Sequence, residues 1–334
     1  MQPLVEVTRG SLVECTHYGN IAVCDAEGGL LGAVGDPEHV VFWRSSAKPI
    51  QALTVVQSGA ADRFNFTDRE LAVCCASHCG SAEHVATVLG ILGKIGLGEE
   101  ALQCGTHMPG DAAERDRLIR ADLPPGPAHN NCSGKHAGKL AATVALGADV
   151  GTYLSLDHPV QQSILRNMSA LCGVPAQQFA IGVDGCGAPV HGMPLRAMAT
   201  AFARLCRPEQ MPPEIRKAAP RIIAAMGREP VMVSGQGSFN SDLLAAYSGR
   251  MLAKGGAEGL FVVGLAPDGL GFATRTVDGS HRGQSTVVLR VLEQLGKVDE
   301  GVRRNLAAHF EQTVRNCHGA DIGQIRAADF SIAL

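Results

Sequence analysis

Short hydrophobic runs separated by turn signals fill roughly the first 42 residues. The runs are rich in β-branched residues or alternate hydrophobic and polar positions, and they lie at 5–8, 11–16, 20–25, 30–34 and 39–43. Gly10, Gly19 and the pair Gly28 and Gly29 fall between them, where glycine favours the tight turns of β-hairpins. The pattern predicts an antiparallel meander of strands.

Hydrophobic positions recur at helical spacing from Ser46 to about Ser248. Thr67 and Glu70 have the spacing of a capping box, and Ser81 begins a segment whose hydrophobic residues share one helix face. Further helices are predicted at 112–121, 134–146, 158–172, 193–206, 212–226 and 239–248. This part of the chain is therefore expected to be mainly helical.

Strands return towards the end of the chain. Residues 259–266 and 271–277, joined by a turn, have the pattern of a β-hairpin, and a helix is predicted at 284–295. Strands at both ends of a helical block predict an α+β fold, in which an antiparallel sheet built from both chain ends carries helices on its faces. We expect a single domain, residues 1–334, with its sheet from about 3–42 and 259–277 and the helical region 46–248 inserted.

Composition and charge exclude several kinds of partner. Hydrophobic residues make up 46% of the chain, charged residues 18%, and the net charge is -3. No block of Lys and Arg supplies the electrostatic footprint of a nucleic-acid binder. No hydrophobic run reaches the ~18 residues of a membrane span, and the N-terminus lacks the pattern of a signal peptide. We therefore expect no nucleic-acid or membrane partner and a cytoplasmic location.

The cysteine pattern and the glycine content are both informative. The 11 cysteines are an odd number scattered from Cys15 to Cys317, which is not typical of a disulfide framework. Most are expected to be reduced thiols, and a few to be ligands. The 40 glycines are an excess over the usual composition, and several of them fall in the candidate site segments.

The first candidate site is the segment 44–49, where the last N-terminal strand gives way to the first long helix. Ser45 and Lys48 are three positions apart, so on a helix they share one face and the lysine amine can accept the serine proton. The helix N-terminus adds hydrogen-bond donors and a positive dipole end. The simpler alternative is that Ser45 or Ser46 caps the helix and Lys48 is a solvated charge.

Two other segments carry a serine or a lysine among small residues. Ser77 lies in the loop 76–81, of the type that brings a hydroxyl and backbone amides close to a ligand. Lys254 precedes two glycines, an arrangement that resembles the K-T-G element facing the nucleophile in serine β-lactamases and penicillin-binding proteins. By itself, K-G-G also marks a plain turn.

A dense polar cluster covers residues 129–136. So many polar side chains at a helix start are costly to bury without partners, which points to a site. Cys132 and Lys135 share one helix face, and Lys135 can keep a Cys132 thiolate ionised or, once deprotonated, act as a nitrogen ligand. The alternative is a buried Cys132 and a helix capped by Asn131.

Glycines flank Asp184 and Cys186 in the segment 182–189, which follows a predicted strand. Glycine on both sides of such side chains indicates close approach of the backbone to something bound. Asp184 can pair with a substrate ammonium group, and Cys186 can complete a small metal site with Cys132. The C-x-x-C or His-rich spacing of ordinary zinc sites is absent, so spacing alone supports a metal only weakly.

In chain order, these segments resemble the motif set of the asparaginase II family. The segments are 44–49, 76–84, 104–109, 129–138, 184–189 and 254–259. The resemblance runs from about residue 5 to about residue 295. It implies a fold similar to that of serine β-lactamases and penicillin-binding proteins. It also implies an L-asparaginase, which converts L-asparagine and water to L-aspartate and ammonia.

The resemblance further implies roles for individual residues. It implies two catalytic serine–lysine pairs, Ser45 with Lys48 and Ser77 with Lys254. The implied substrate-binding residues are Arg44, Asn131, His136 and Asp184. The implied ligands of an accessory zinc ion, which orients the pocket and does not activate water, are Cys132, Lys135 and Cys186. The family's usual assembly, and so the expected one, is a homodimer.

Two features depart from the family pattern. Cys79 stands where a serine is common, and the segment 233–240 matches only loosely, which leaves the preference between asparagine and glutamine open. The alternatives to an asparaginase are a β-lactamase-like or other serine amidohydrolase and a non-catalytic regulator that binds an amino acid or zinc. No S-D-N or S-Y-N element stands in the expected place for a β-lactamase.

Overall fold

The N-terminal strands form part of a large antiparallel sheet. The computed structural model describes residues 1–333 and contains β1 (Gln2–Arg9), β2 (Leu12–Asp25) and β3 (Leu30–Val34). Neighbouring strands are antiparallel, and the hydrophobic side chains of Val5 and Val7 on one face of β1 are buried. The predicted meander is confirmed in outline, but the runs 11–16 and 20–25 are one continuous strand, β2, so the turn expected at Gly19 was wrong. Gly19 pairs inside the sheet, where a Cβ would overlap the carbonyl oxygen of Arg275 on β9.

The same sheet continues through strands from the other end of the chain. The predicted hairpin is present as β8 (Leu260–Leu265) and β9 (Leu270–Thr276), and β7 (Met251–Gly255) pairs with β8 at one edge. Strand β9 pairs with β2 along seven residue pairs, from Gly19 opposite Thr276 to Asp25 opposite Leu270. The sheet is therefore built from both chain ends, and the predicted α+β class is confirmed.

Two strands follow that the sequence pattern does not predict. These are β10 (Gln312–Arg315) and β11 (Asp321–Ala327); β11 pairs with β1, and β10 with β11. Neither strand has a buried residue, so they lack the hydrophobic run that marks a strand. Within residues 1–333 the sheet has eight strands in the order β10-β11-β1-β2-β9-β8-β7, with β3 beside β2.

The last predicted N-terminal strand does not belong to this sheet. Strand β4 (Val40–Phe42) pairs with β6 (Pro189–Pro194), and β6 pairs with β5 (Ala180–Val183), in a separate three-stranded sheet. Placing residues 39–43 in the meander was therefore wrong. Only the middle residue of β4 is buried, so its hydrophobic pattern is too short to specify a partner. Because β4 and β5 run in the same direction on either side of β6, the residues that follow them leave the small sheet at the same end.

The region between residues 46 and 248 is mainly helical, as predicted, apart from β5 and β6. Its helices are α1 (Lys48–Gln57), α2 (Ala60–Arg63), α3 (Asp68–Cys74), α4 (Ala82–Lys94), α5 (Ala112–Arg120), α6 (Ser133–Leu146), α7 (Pro159–Cys172), α8 (Leu195–Cys206), α9 (Pro213–Arg228), α10 (Pro230–Ser234) and α11 (Phe239–Tyr247). The capping box of Thr67 and Glu70 is present at the start of α3, and Ser81 caps α4. After the hairpin come the predicted α12 (Gln284–Gln294), then α13 (Glu300–Asn305) and α14 (Ala307–Phe310).

Helix α8 covers one face of the main sheet and packs on β9, β2 and β8. Glycine permits this approach, because a Cβ at Gly271 would overlap the carbonyl oxygen of Ala199 in α8. Phe202 of α8 also stacks on Trp43, with ring centroids 5.9 Å apart, which fixes the chain just after β4 to the core. None of the helices in residues 1–333 is long and apolar enough to cross a membrane.

Candidate active site

The first residues of the site lie in a short 3-10 turn, Arg44–Ala47, between β4 and α1. Arg44 has a φ of 47°, in the left-handed region that costs a residue with a side chain about 1 kcal/mol or more. Ser46 is buried, and its Oγ donates a hydrogen bond of 3.0 Å to the carbonyl oxygen of Lys254. Ser45 is therefore held in a turn that is joined to the end of β7.

Lys48 is a buried residue that contacts the neighbouring loops. Its side chain is fully buried, and neither the 3-10 turn nor α1 has a side-chain cap. The simpler alternative for this segment, a capping serine and a solvated lysine, is therefore wrong. Lys48 Nζ donates hydrogen bonds to Ala76 O at 2.5 Å, Ser77 Oγ at 3.0 Å and Asn131 O at 3.3 Å. The serine hydroxyl that Lys48 contacts is thus that of Ser77.

The Ser77 hydroxyl lies between two lysine amines. Lys254 Nζ donates to Ser77 Oγ at 3.0 Å and to Gly255 O at 2.7 Å. Ser77 follows α3, and its backbone N–H donates to Val233 O at 2.9 Å, which fixes the loop. Three of the four side chains predicted as catalytic therefore meet at one oxygen atom.

Burial changes the acid–base behaviour of both lysines. It lowers the pKa of Lys48, although the nearby Cys132 thiol acts in the opposite direction. It lowers the pKa of Lys254 well below its ordinary value, and the charge of Lys48 acts in the same direction. Two ammonium groups near one hydroxyl disfavour each other, so the arrangement favours a neutral amine beside Ser77, as a general base requires.

The structure brings Cys132, Lys135 and Cys186 together next to this group. Cys132 precedes α6, Lys135 lies in its first turn, and Cys186 lies in the turn between β5 and β6. Lys135 Nζ donates to Cys186 Sγ at 2.9 Å. Cys132 is buried, as the alternative reading of this cluster supposed, but no side chain caps α6 and Asn131 is exposed. Capping by Asn131 was therefore the wrong part of that alternative.

The pKa values of the two thiols are shifted in opposite directions. A hydrogen bond from Cys186 holds the pKa of Cys132 well below its ordinary value, with the Lys135 ammonium acting the same way against burial. The same hydrogen bond raises the pKa of Cys186. Burial alone lowers the pKa of Lys135, but the two sulfur atoms outweigh it and raise that pKa. The arrangement thus favours a thiolate at Cys132 and a protonated thiol at Cys186.

These donors fit a zinc-type metal. Two sulfurs and, once Lys135 has lost its proton to the incoming metal, one nitrogen form the mixed N/S set that such metals prefer. The Asp184 carboxylate lies 4.0 Å from both Lys135 Nζ and Cys186 Sγ. Across residues 1–333, no group of three or more His, Cys, Asp or Glu side chains could hold a metal. None of the 11 cysteines forms a disulfide bond in the described residues 1–333.

The four predicted substrate-binding residues differ in their surroundings. Arg44 Nε donates to Asp184 Oδ1 at 2.8 Å, which joins the ends of β4 and β5. Asn131 is exposed, and its backbone N–H donates to His107 Nε2 at 3.0 Å. His136 is fully buried; its Nδ1 lies 2.7 Å from the Tyr153 hydroxyl, while its Nε2 has no hydrogen-bond partner within residues 1–333.

Three further residues contact the site without having been assigned a role from the sequence. Ser46 joins the turn to Lys254, Tyr153 fixes the ring of His136, and Glu258 Oε1 lies 3.6 Å from Arg44 Nη1. The second serine of the S-S-A-K segment and the acid in the turn 254–259 were visible in the sequence. Tyr153 lies outside every motif, so only the fold could place it.

Taken together, the site offers a hydroxyl between buried amines, a thiol–lysine cluster and an arginine–carboxylate pair. A nucleophile with an adjacent base and charged groups for orienting a polar substrate are what a hydrolase of the acyl-transfer type requires.

Comparison with known proteins identifies the family. The family model described as L-asparaginase II matches residues 5–327, nearly the whole chain. The chain therefore belongs to the L-asparaginase II family, and its class is that of the amidohydrolases. None of the curated proteins matches the chain significantly.

Several solved structures resemble it at low identity. A β-lactamase from Mycobacterium bovis is 15% identical, with 83% of this chain and 94% of that chain covered and a TM-score of 0.44. A β-lactamase from Sulfitobacter sp. EE-36 is 16% identical, with 84% and 94% covered and a TM-score of 0.41. A Bacillus glutaminase is 14% identical, with 83% and 91% covered and a TM-score of 0.37.

Proposed function

We propose that this protein is an L-asparaginase, which hydrolyses the side-chain amide of L-asparagine to L-aspartate and ammonia. The observation that carries the proposal is the Ser77 hydroxyl, which lies 3.0 Å from each of two buried amines, those of Lys48 and Lys254. Membership of the L-asparaginase II family supports the choice of substrate.

The first half of the reaction acylates a serine. A neutral lysine amine accepts the serine proton while the serine oxygen attacks the side-chain amide carbon of asparagine. The carbon–nitrogen bond then breaks, the lysine returns the proton to the departing nitrogen, and ammonia leaves. In the second half, the lysine accepts a proton from water as its oxygen attacks the ester. The ester bond breaks, the proton returns to the serine, and L-aspartate is released.

Ser77 and Ser45 are the two candidates for the attacking hydroxyl. Ser77 is in contact with both amines, and we assign the first proton transfer to it. Ser45 lies in the turn before α1, a helix of ten residues, whose positive end favours a nearby oxyanion. Ser45 is therefore placed either to attack or to stabilise the charge that develops on the amide oxygen.

Ammonia release from L-asparagine tests the proposal. Wild type is expected to release ammonia, and Ser77→Ala and Lys254→Met are expected to lose at least about 1000-fold in kcat, because either change removes the nucleophile or its base. Ser11→Ala is the control and should leave the rate unchanged, because Ser11 lies in the exposed turn between β1 and β2. Mass spectrometry of acid-quenched enzyme identifies the attacking serine, because the variant that lacks it forms no aspartyl ester.

The same measurements separate the alternatives. No ammonia from any amide would overturn the proposal. Hydrolysis of a β-lactam without hydrolysis of asparagine would favour a β-lactamase-like enzyme. Binding of L-asparagine with no turnover in wild type would favour a regulator.

We also propose that Cys132, Lys135 and Cys186 hold a zinc ion. When bound, the metal would supply a fixed positive charge that orients the pocket. The support lies in the convergence of the three donors, with Lys135 Nζ 2.9 Å from Cys186 Sγ, and in the readiness of Cys132 to be a thiolate. Asp184 lies between this cluster and Arg44. The charge of the cluster therefore acts on Arg44 through Asp184.

A further inference from the structure

A row of alternating charges leads from the interior of the site to its surface. The side chain of Asp184 is 11% exposed, that of Arg44 29% and that of Glu258 60%. Arg44 Nε bonds to Asp184 on the inner side, and Arg44 Nη1 faces Glu258 Oε1 at 3.6 Å on the outer side. The hydrolytic steps described above make no use of Glu258.

The backbone is strained at both partners of the outer pair. Arg44 has a φ of 47° and Glu258 a φ of 61°, and neither residue is a glycine that adopts such angles freely. Strain of this kind is kept where the surrounding structure requires a given side-chain position, which is commonly a functional site. Gly279 leaves room for the Glu258 carboxylate, because a Cβ there would lie 2.6 Å from Glu258 Oε2.

The two carboxylates beside Arg44 differ in how fully they are engaged. Asp184 Oδ1 accepts hydrogen bonds from Arg44 Nε at 2.8 Å and from the Gly185 N–H at 2.9 Å, and Oδ2 faces Lys135. Glu258 is separated from Arg44 by more than a hydrogen-bond distance and is open to solvent. Asp184 therefore positions Arg44, and Glu258 is the carboxylate with capacity for a new donor.

We propose that Glu258 is a specificity-determining residue, which binds the α-ammonium group of the amino-acid substrate while the outer N–H groups of Arg44 bind its α-carboxylate. The assignment rests on the proposed function and deepens it, because it states why the substrate is an α-amino acid rather than any primary amide. It also moves the ammonium-binding role expected for Asp184 to Glu258.

Charge and geometry both support this pairing. An α-amino acid carries a negative carboxylate and a positive ammonium group on the same α-carbon. Arg44 and Glu258 offer the complementary positive and negative charges side by side, and a guanidinium fork matches a carboxylate. Arg44 directly precedes Ser45, and the same turn is bonded to Lys254 through Ser46. A substrate held by its α-carbon groups at this outer pair can therefore extend its side-chain amide inwards to the serines and lysines.

Turnover of two substrates tests the assignment. L-asparagine carries the α-ammonium group, and succinamic acid is the same amide without it. Glu258→Gln is expected to lower kcat/KM for L-asparagine by about tenfold or more, mainly through KM, because one charge-assisted contact is lost. The rate with succinamic acid should not change. Glu38→Gln is the matched control, because Glu38 also forms an exposed ion pair with an arginine, Arg196.

Binding of the product tests it without turnover. Trp43 is the only tryptophan of the chain and adjoins Arg44, so its fluorescence can report binding of L-aspartate and of succinate, which lacks the ammonium group. Glu258→Gln should weaken binding of L-aspartate by about tenfold and leave succinate unaffected, with calorimetry as a second readout. Glu258→Asp, which keeps the charge, should recover part of the loss.

The outcomes separate this assignment from the proposed function. Equal effects of Glu258→Gln on L-aspartate and succinate, or no effect on either, would overturn the assignment, even if wild type hydrolyses L-asparagine. Glu258-dependent binding of L-aspartate without ammonia release would support the assignment and overturn the hydrolase. If wild type neither binds L-aspartate nor releases ammonia, both are overturned.

Discussion

Lys139 is a buried lysine that the proposed reaction does not use. It lies on α6 one turn after Lys135 and is 3% exposed, and its Nζ has no hydrogen-bond partner within residues 1–333. Burial, with the charge of Lys135 acting in the same direction, lowers the pKa of Lys139 from 10.5 to about 7. A buried amine without a partner weakens the fold, because its charged form loses hydration without compensation.

We expect Lys139→Met to stabilise the protein at pH 7 by about 1–4 kcal/mol, because the unbranched side chain fills a similar volume without a charge. The unfolded lysine holds its proton up to its ordinary pKa, whereas the folded one releases it near pH 7. Wild-type stability therefore falls as the pH falls from about 10 to about 7, and the advantage of the variant grows over that range. Urea unfolding at several pH values measures this.

The control for this change is a lysine on the surface. Lys217 on α9 is exposed, so Lys217→Met should change stability by no more than about 0.5 kcal/mol. A Lys139→Met variant that is less stable than wild type, or whose advantage is the same at pH 7 and pH 10, would contradict the prediction.

Two helical glycines differ in the space around them: one is tightly packed and the other is open to solvent. Gly134, in the first turn of α6, would place a Cβ against the carbonyl oxygen of Val73 in α3, whereas Gly90 in α4 is exposed and would meet nothing within 4 Å. Close packing at Gly134 holds together the helix that carries Lys135 and the helix that leads to Ser77.

We therefore expect alanine to act in opposite directions at these two positions. Gly90→Ala should stabilise the protein by about 0.5–1 kcal/mol, because alanine loses less backbone entropy in a helix. Gly134→Ala should destabilise it by about 1–3 kcal/mol through overpacking and should also lower activity. Thermal unfolding and ammonia release measure both effects, and a stabilising Gly134→Ala would contradict the close contact of α3 and α6 at this position.

Local signals explain which elements the sequence predicts. Helix starts are marked by caps such as Thr67 and Ser81, whose side chains bond to the first turn, so their positions can be read directly. The partner of β4 cannot be read in this way, because one buried residue does not specify a register. Strands β11 and β10 are held by backbone pairing, β11 with β1 and β10 with β11, rather than by burial of their own side chains, so no hydrophobic run reveals them.

The site shows the same division between local and distant contacts. The sequence correctly places Ser45 and Lys48 where β4 gives way to α1, with Ser45 in the 3-10 turn and Lys48 at the first residue of the helix. The lysine nevertheless contacts Ser77, 29 residues away. Spacing states which residues share a helix face, and it does not state which hydroxyl a long flexible side chain reaches. The sequence motifs therefore indicate the members of the site, and the tertiary structure decides their pairing.

The whole molecule places the site where the sheet meets the helical region. Lys254 comes from strand β7, Lys48 from α1 and Ser77 from the loop after α3, so the three side chains meet only when β7 has packed against the helical region. The single domain and the homodimer remain predictions. The thiol–lysine cluster likewise joins separate elements of the fold: Cys132 and Lys135 come from the start of α6, and Cys186 comes from the turn between β5 and β6.

Because the proposed metal ligands come from separate elements, we expect bound metal to stabilise the folded protein. A metal that binds the folded chain and not the unfolded one raises the melting temperature, so a chelator should lower the melting temperature of wild type. The double change Cys132→Ser and Cys186→Ser should abolish bound zinc and remove the sensitivity to the chelator.

Two exposed cysteines supply the control for this experiment. Cys15 and Cys317 lie at the surface, and changing both to serine should leave zinc content and chelator sensitivity as in wild type. Elemental analysis of wild type that finds no stoichiometric metal would overturn the metal site while leaving the serine–lysine proposal standing. A chelator effect that persists after Cys132→Ser and Cys186→Ser would instead place the metal elsewhere, because the two remaining donors, an amine and a distant carboxylate, would not retain zinc against a chelator.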